Sequence, residues 1–296
     1  MLTPFQSALI KVLSSIPPGR VASFGSIAEA LGDRRAALAV RNECLRLRKL
    51  NVEVPWWRAV NSNGIPLKEA IPFLRREGSL NGDVVERKIF VDPPEREPIL
   101  FRLRAVQEKL SKKLLIEGLP NSKVAGGLDV SYAVVNGVEV AYASCVLVDE
   151  KLRVIKVERF SYIPPMPYVP TYLAFREIRG MLVTARRCEP DVLFVDGQGI
   201  LHPRLLGEAS HVGLVAGIPS VGVAKSKLVG DLEGDRILVG REHRGWYYRG
   251  GFVSPGHMVG VRESLEIAKK FWLPGEKQPR PLILAHKDSK SSRPRT

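Results

Sequence analysis

The seven residues Asp92–Pro98, DPPEREP, hold three prolines and four charged side chains. Such a run can neither continue a helix nor pack inside a sheet, because proline lacks the amide donor and clustered charges resist burial. A chain of 296 residues interrupted in this way is predicted to fold as two domains. The expected boundaries are a first domain over residues 1–92, a linker over 93–98, a second domain over 99–287, and a basic, disordered tail over 288–296.

Ahead of the linker the periodicity is helical. TPFQSALIKVLSSI places Thr3 as an N-cap, Pro4 at the first helical position and Gln6 where a capping box needs it. SFGSIAEALG reads as a short helix with Ser26 as its cap and Gly32 at its end. DRRAALAVRNECLRLRK opens on Asp33 and puts Ala36, Val40 and Cys44 on one face. Two short helices joined by a tight turn predict a helix-turn-helix, winged-helix-like domain.

Behind the linker the pattern changes. After an amphipathic helix in ILFRLRAVQEKLSKKLLIE come three β-type runs, KVAGGLDVSYA, EVAYASCVLVD and LRVIKVERFSY, which predict an antiparallel meander. A helix over TYLAFREIRGMLVTARR, a strand DVLFVDG, a helix in RLLGEASHVGLVAG, a strand PSVGVAKS, a hairpin in RILVGREHRGWYYRGGFVSPG and a helix in RESLEIAKKFW follow. Together they predict a mixed α/β sheet with helices on both faces.

Charge narrows the choice of partner. The formal net charge is +14, about +4 of it before residue 96 and about +10 after. Nucleic acid is the leading partner for such a balance. No apolar run approaches the ~18 residues of a membrane span, and the N-terminus does not resemble a secretory leader. Cys44, Cys145 and Cys188 are too scattered for a disulfide framework or a zinc site. No membrane association is expected, and the expected location is the cytoplasm.

Three carboxylates stand out in the second domain. Asp129 lies among small and apolar neighbours in VAGGLDVSY, and Asp196 ends the buried-type strand DVLFVDG, at the edge where open α/β sheets collect ligands. Glu177 lies on the helix before that strand. Carboxylates brought together repel unless cations neutralise them, and clustered oxygens suit Mg²⁺ or Mn²⁺. A phosphodiester hydrolase uses such ions to activate water and to stabilise the leaving oxygen. Each acid read alone fits a structural role better, Asp129 and Asp196 as strand stops and Glu177 as a partner of Arg176 or Arg179; three at these places in a basic chain reverse that choice.

The motifs GLDVSY, PYVPTYLAFRE, VDGQGILHPRLLGEASHVG, PSVGVAKSKL and VSPGH, in this order, resemble endonuclease V across nearly the whole second domain. The resemblance implies an RNase H-like sheet and a nuclease that nicks DNA at the second phosphodiester 3′ to deoxyinosine and related deaminated bases. It implies metal ligation by Asp129 and Asp196 with Glu177 nearby, His286 close to the metal, and Lys225 beside the scissile phosphate, where its charge would offset developing negative charge. Pro167, Tyr168 and Pro170 would form a stiff wedge that fills the gap left by a flipped base. Gly197 and Gly199 would let backbone approach that base, with His202 near the lesion pocket; the spacing of His202 fits a locally bonded turn residue just as well. Thr171 stands where many relatives carry glycine.

The first domain resembles the DNA-binding domain of O6-alkylguanine-DNA alkyltransferases, from TPFQ through SFGSIAEALG to VPWWRAVNSNG and LRREGSL. In that family the corresponding block reads Pro-Cys-His-Arg-Val. Here Trp56 occupies the cysteine position and Trp57 the histidine position, so alkyl transfer is not expected, because an indole supplies no thiolate. The resemblance is nearest to alkyltransferase-like proteins, which bind alkylated DNA without repairing it. Leu38 stands at the position of their arginine finger, Phe24 at that of their tyrosine, and Arg58 is kept. Arg34, Arg35, Arg41, Arg46, Arg48 and Lys49 offer phosphate contacts. The Trp-Trp pair reads as a lesion pocket converted at least partly into filled core. The expectation is a Mg²⁺- or Mn²⁺-dependent endonuclease on double-stranded DNA carrying deaminated or alkylated bases. A non-catalytic damage-binding protein and an inosine-specific ribonuclease remain open.

Overall fold

The structure, a computed structural model, describes residues 2–294. The chain forms two compact units, one running to Ala105 and including Pro165–Tyr172, the other comprising Val106–Pro164 and the residues from Leu173 onward. The division therefore falls beyond the proline-rich run, and the Pro-Tyr segment groups with the first unit, contrary to the boundaries expected from composition.

In the first unit, α1 (Pro4–Ser15) starts on a complete capping box: the Gln6 amide donates to Thr3 Oγ1 and the Thr3 amide to Gln6 Oε1. After β1 (Ala22–Ser23) comes α2 (Phe24–Ala30), whose cap is Ser23 rather than Ser26. Ser26 sits at the third helical position, and its amide donates to Ser23 Oγ at 2.9 Å. Asp33 caps a single 3₁₀ turn, Arg34–Ala36, that leads into α3 (Ala37–Lys49). Ala36, Val40 and Cys44 are buried along one face of this turn and helix, as their spacing requires. β2 (Ala59–Val60) pairs in parallel with β1, and α4 (Ile71–Arg76) follows.

α5 (Ile99–Ser111) leads into the second unit, whose nine strands form one sheet. β3 (Val124–Val135), β4 (Val138–Asp149) and β5 (Val154–Tyr162) form the antiparallel meander. After α6 (Leu173–Cys188), β6 (Val192–Val195) adds parallel to β3; after α7 (Glu208–Ala216), β7 (Ser220–Ala224) adds parallel to β6. β8 (Asp231–Glu233), β9 (Arg236–Val239), β10 (Glu242–Tyr248) and β11 (Gly251–His257) extend the other side in antiparallel pairs. The strand order is β5-β4-β3-β6-β7-β11-β10-β9-β8. The chain continues through α8 (Val261–Lys270) and α9 (Arg280–Ser291).

Side-chain alternation splits this sheet between two cores. Ala125, Val192 and Phe194 pack with α8 and α9 through Leu265, Phe271, Leu282 and Ala285. Leu128, Leu193 and Val195 pack with α6 and α7 through Met181, Ala185, Ala209 and Val212. Residues of β3 with the parity of Ala125 therefore face α9. The tail expected from residue 288 is instead helical through Ser291, because Leu282, Ala285 and Ser289 form a buried helical stripe on that face; residues 295 and 296 lie outside the described residues. Among the described residues no helix is long and apolar enough to cross a membrane.

Gly127 permits this packing. A Cβ there would lie 2.1 Å from the Pro281 carbonyl oxygen, so the start of α9 rests directly on the β3 backbone. Gly127→Ala is expected to cost about 1–3 kcal/mol, read as a lower urea midpoint with an unchanged slope.

Candidate metal centre and nucleic-acid interface

Three neighbouring parallel strands bring residues to the candidate site, β3 from its middle and β6 and β7 from just past their ends. β6 stops at Val195, which pairs with Leu128 of β3. Asp129 is the next residue of β3, and Asp196, whose amide donates to the Leu128 carbonyl, is the next after β6. Lys225 follows Ala224 at the end of β7. Alternation turns Asp129 toward α9, which supplies His286. Ligand atoms of Asp129, Asp196 and His286 all lie within 4.8 Å of one another.

The partners of these groups are specific. Lys225 Nζ pairs with Asp196 Oδ2 at 2.5 Å, and Gln278 Nε2 donates to Asp196 Oδ1 at 3.2 Å. Ser289 Oγ donates to Asp129 Oδ2 at 2.5 Å. His286 Nδ1 is 3.4 Å from the same oxygen but outside hydrogen-bonding geometry, and this buried nitrogen has no hydrogen-bond partner among the described residues. Burial, reinforced by the nearby Asp196 charge, pushes the Asp129 carboxyl above its usual range against the pull of Ser289. Two carboxylates, an imidazole nitrogen without a hydrogen-bond partner among the described residues, and unfavourably buried acidity form a donor set that fits Mg²⁺ or Mn²⁺.

Glu177 is not one of this trio. It comes from α6, on the other core's side, where its Oε1 accepts the Tyr132 hydroxyl at 2.6 Å and the buried carboxyl of Glu208, at the start of α7, is a neighbouring acid. Burial raises both acids, Glu208 well above its ordinary value. Tyr132 is held in turn by Arg176, whose guanidinium lies 4.1 Å from the ring centre and pairs with Glu139. Sequence reasoning passed over Tyr132, Glu208, Gln278 and Ser289. A lone acid in the uncharged run GEASHVGLVAG was the available signal for Glu208, and the His286–Ser289 spacing, three residues on one helix, the signal for Ser289.

Gly197 and Gly199 are required by packing within the protein itself. A Cβ at Gly197 would meet Glu208 Oε2 at 2.2 Å, and one at Gly199 the Pro255 carbonyl at 2.0 Å, so protein occupies the space beside both. Their amides are also engaged, by the Val195 carbonyl and by Ser254 Oγ. His202 is buried, and its Nδ1 accepts the Arg204 amide, the locally bonded alternative.

In the segment grouped with the first unit, Tyr168 is 56% exposed between the half-buried Pro167 and Pro170, leaving its ring open for stacking. Thr171 has φ +69°, a left-handed backbone conformation that glycine adopts more readily. Tyr172 is buried, and its hydroxyl donates to Asp33 Oδ2 at 2.8 Å. Burial opposes charge on Asp33, but bonds from Arg35 and Tyr172 prevail and lower it to about 2.

On α3 and the turn before it, Leu38 is 65% exposed and Arg34 and Arg35 are exposed, while Arg41 is half-buried. Phe24 is buried in the core. Trp56 is 4% exposed, edge-on to Phe73, whereas Trp57 is half-buried and stacked on Phe73 at 4.7 Å. The Trp57 indole donates to Glu77 Oε1 at 3.0 Å, and Arg58 binds the same carboxylate. The pair fills only part of the space: Trp56, Trp57 and Phe73 line an open groove of about 850 Å³, with Arg48 and Lys49 at its margin.

A mixed sheet whose adjacent parallel strands bring together carboxylates able to hold a divalent cation has the arrangement of a nuclease-type phosphodiester hydrolase. Residues 107–287 match the endonuclease V family, and the chain belongs to that family of DNA endonucleases. Residues 4–78 match the DNA-binding domain of 6-O-methylguanine DNA methyltransferase. The bifunctional methyltransferase-like/endonuclease of Nanoarchaeum equitans is 31% identical over 266 residues, 89% of this chain and 82% of that protein. Endonuclease V of Thermococcus kodakarensis is 35% identical over 178 residues, 58% of this chain and 83% of its own. A solved Ciona intestinalis endonuclease V variant, in complex with DNA containing an inosine followed by a ribo-adenosine, is 25% identical with a TM-score of 0.56, covering 65% of this chain and 95% of that one.

Behind the centre, burial lowers His211 from 6.5 to about 4. The unfolded chain binds the extra proton between these values, so the stability that neutral His211 contributes is complete above about pH 6.5 and is lost as pH falls toward 4. His211→Leu is expected to flatten the loss of unfolding free energy over this window by up to a few kcal/mol relative to the parent, measured by denaturant titration.

Proposed function

We propose that the chain is a divalent-metal-dependent repair endonuclease that nicks double-stranded DNA at the second phosphodiester 3′ to deoxyinosine or a related deaminated base. The observation that carries this reading is the trio Asp129, Asp196 and His286 with Lys225 beside it. The inosine-containing DNA bound by the Ciona relative supports the substrate. Asp129, Asp196 and His286 would hold Mg²⁺ or Mn²⁺, and the chemistry such an ion supplies is neutralisation of phosphate charge and activation of water. Lys225, its side chain more than half exposed, would meet the negative charge that develops on the scissile phosphate. Gln278 and Ser289 hold the carboxylates in orientation, and Glu177, bonded to Tyr132, supports the centre from α6. Tyr168 would stack in the gap left by the displaced base.

The first unit, in the same proposal, is an alkyltransferase-like DNA-binding module without transfer activity. Trp56 supplies no thiol, and burial pushes the Cys44 thiol far above the range of a reactive thiolate. The groove beside Trp57 and Phe73 offers an aromatic wall for an alkylated guanine, and the exposed Arg34 and Arg35 offer phosphate contacts. Tethering this module to the nuclease raises the local concentration of each on DNA.

With Mg²⁺, a duplex carrying one deoxyinosine is expected to be cut once, one nucleotide beyond the inosine, while an undamaged duplex stays whole. Asp196→Asn should reduce nicking about a hundredfold or more and leave lesion binding in place. An inosine duplex left intact with both Mg²⁺ and Mn²⁺ would overturn the nuclease reading. For the first unit, the parent should bind an O6-methylguanine duplex more tightly than an undamaged one, without taking up its methyl group. Trp57→Ala should erase that preference, worth about 1–3 kcal/mol for a stacked base; equal affinity for both duplexes in the parent would remove alkylated guanine from the proposal.

A further inference from the structure

The Asp129 carboxylate is oriented by residues beyond position 287, where the match to the endonuclease V family stops. Ser289 Oγ is 2.5 Å from Asp129 Oδ2 and 3.1 Å from the His286 carbonyl one turn back. A serine hydroxyl has one proton to give, and a carboxylate at the shorter distance is the stronger acceptor. With Oδ2 engaged, rotation of the carboxylate breaks that bond. Oδ1 is then the oxygen available to a cation.

Ser289 is itself fixed from two directions, and it is completely buried. Ser131, two residues beyond Asp129 on the same face of β3, donates its hydroxyl to the Ser289 carbonyl at 2.7 Å. Asp288, the preceding residue, accepts from Ser144 of β4 at 2.7 Å and from both Nε and Nη2 of Arg159 of β5 at 2.8 and 2.5 Å. The last turn of α9 is thereby fastened to β3, β4 and β5 at once. A hydroxyl held this firmly orients its acceptor, whereas one on a frayed helix end would follow it.

We propose that Ser289, held by Ser131 and Asp288, is a positioning residue of the metal centre: it locks Asp129 through Oδ2 and reserves Oδ1 for the divalent cation. This inference rests on the metal-dependent reading above. Partners of this kind that orient a ligand typically change metal affinity by about 10–100-fold when removed.

The test is Mn²⁺ binding to the full chain, followed by the electron paramagnetic resonance signal of free Mn²⁺ and so independent of nicking. Asp129→Ala should abolish binding. Ser289→Ala should raise the Mn²⁺ Kd about tenfold or more, and Ser289→Thr, which keeps the hydroxyl, should return it to within about threefold of the parent. The melting temperature without metal is measured on each variant. Ser289→Ala that melts earlier yet binds Mn²⁺ like the parent would overturn the proposal, since the hydroxyl would then be structural only. Equal losses in the alanine and threonine variants would also overturn it, because packing rather than the hydroxyl would be responsible. Parent-like Mn²⁺ binding by both Asp129→Ala and Asp196→Ala would instead bring down the metal-centre reading itself.

Discussion

Two carboxylates on adjacent parallel strands, Asp129 within β3 and Asp196 just past β6, repel each other, and much of the structure around β3 and β6 answers that repulsion. Lys225 from the next parallel strand pairs with Asp196, Gln278 donates to the same group, and Ser289 donates to Asp129. The register that pairs Leu128 with Val195 forces the two acids together. Once that register is set by the buried faces of β3 and β6, the acids cannot be separated without turning both strands' core residues toward the wrong helices. Fold and site thus follow from one alternation pattern, with Gly127 giving α9 the clearance to bring in its imidazole.

The order of elements was legible in the sequence because long amphipathic and alternating segments carry strong periodicity: the meander, the strands at DVLFVDG and PSVGVAKS, and the helices between them stand where the pattern put them. Asp129, Asp196, Lys225 and His286 were legible as well, and they meet. The reasons for Gly197 and Gly199 were not, because close packing against Glu208 and Pro255 is a tertiary fact that a glycine in sequence does not disclose. Residues 288–291 read as tail because Lys, Asp and Ser dominate them, yet a stripe of Leu282, Ala285 and Ser289 at helical spacing was enough to keep them folded. The choice of Ser23 over Ser26 as a cap turned on whether Phe24 could be helical, and its burial in the core decides that.

The two tryptophans behave differently despite their adjacency. Trp56 is absorbed into the interior, while Trp57 keeps one edge toward Glu77 and one face toward Phe73 and the groove. Its indole N–H satisfies a carboxylate that Arg58 also neutralises, so no charge is left stranded beside it. Arg58 donates to the Ile16 carbonyl as well, which ties the turn between α3 and β2 to the end of α1.

α9 comes after every strand of the sheet in chain order, yet it carries His286 and Ser289. It is therefore the last part of the candidate centre to be made, after both strands that carry the aspartates. In a chain built from one end, the sheet comes first, and the helix that completes the aspartates' surroundings packs onto it last.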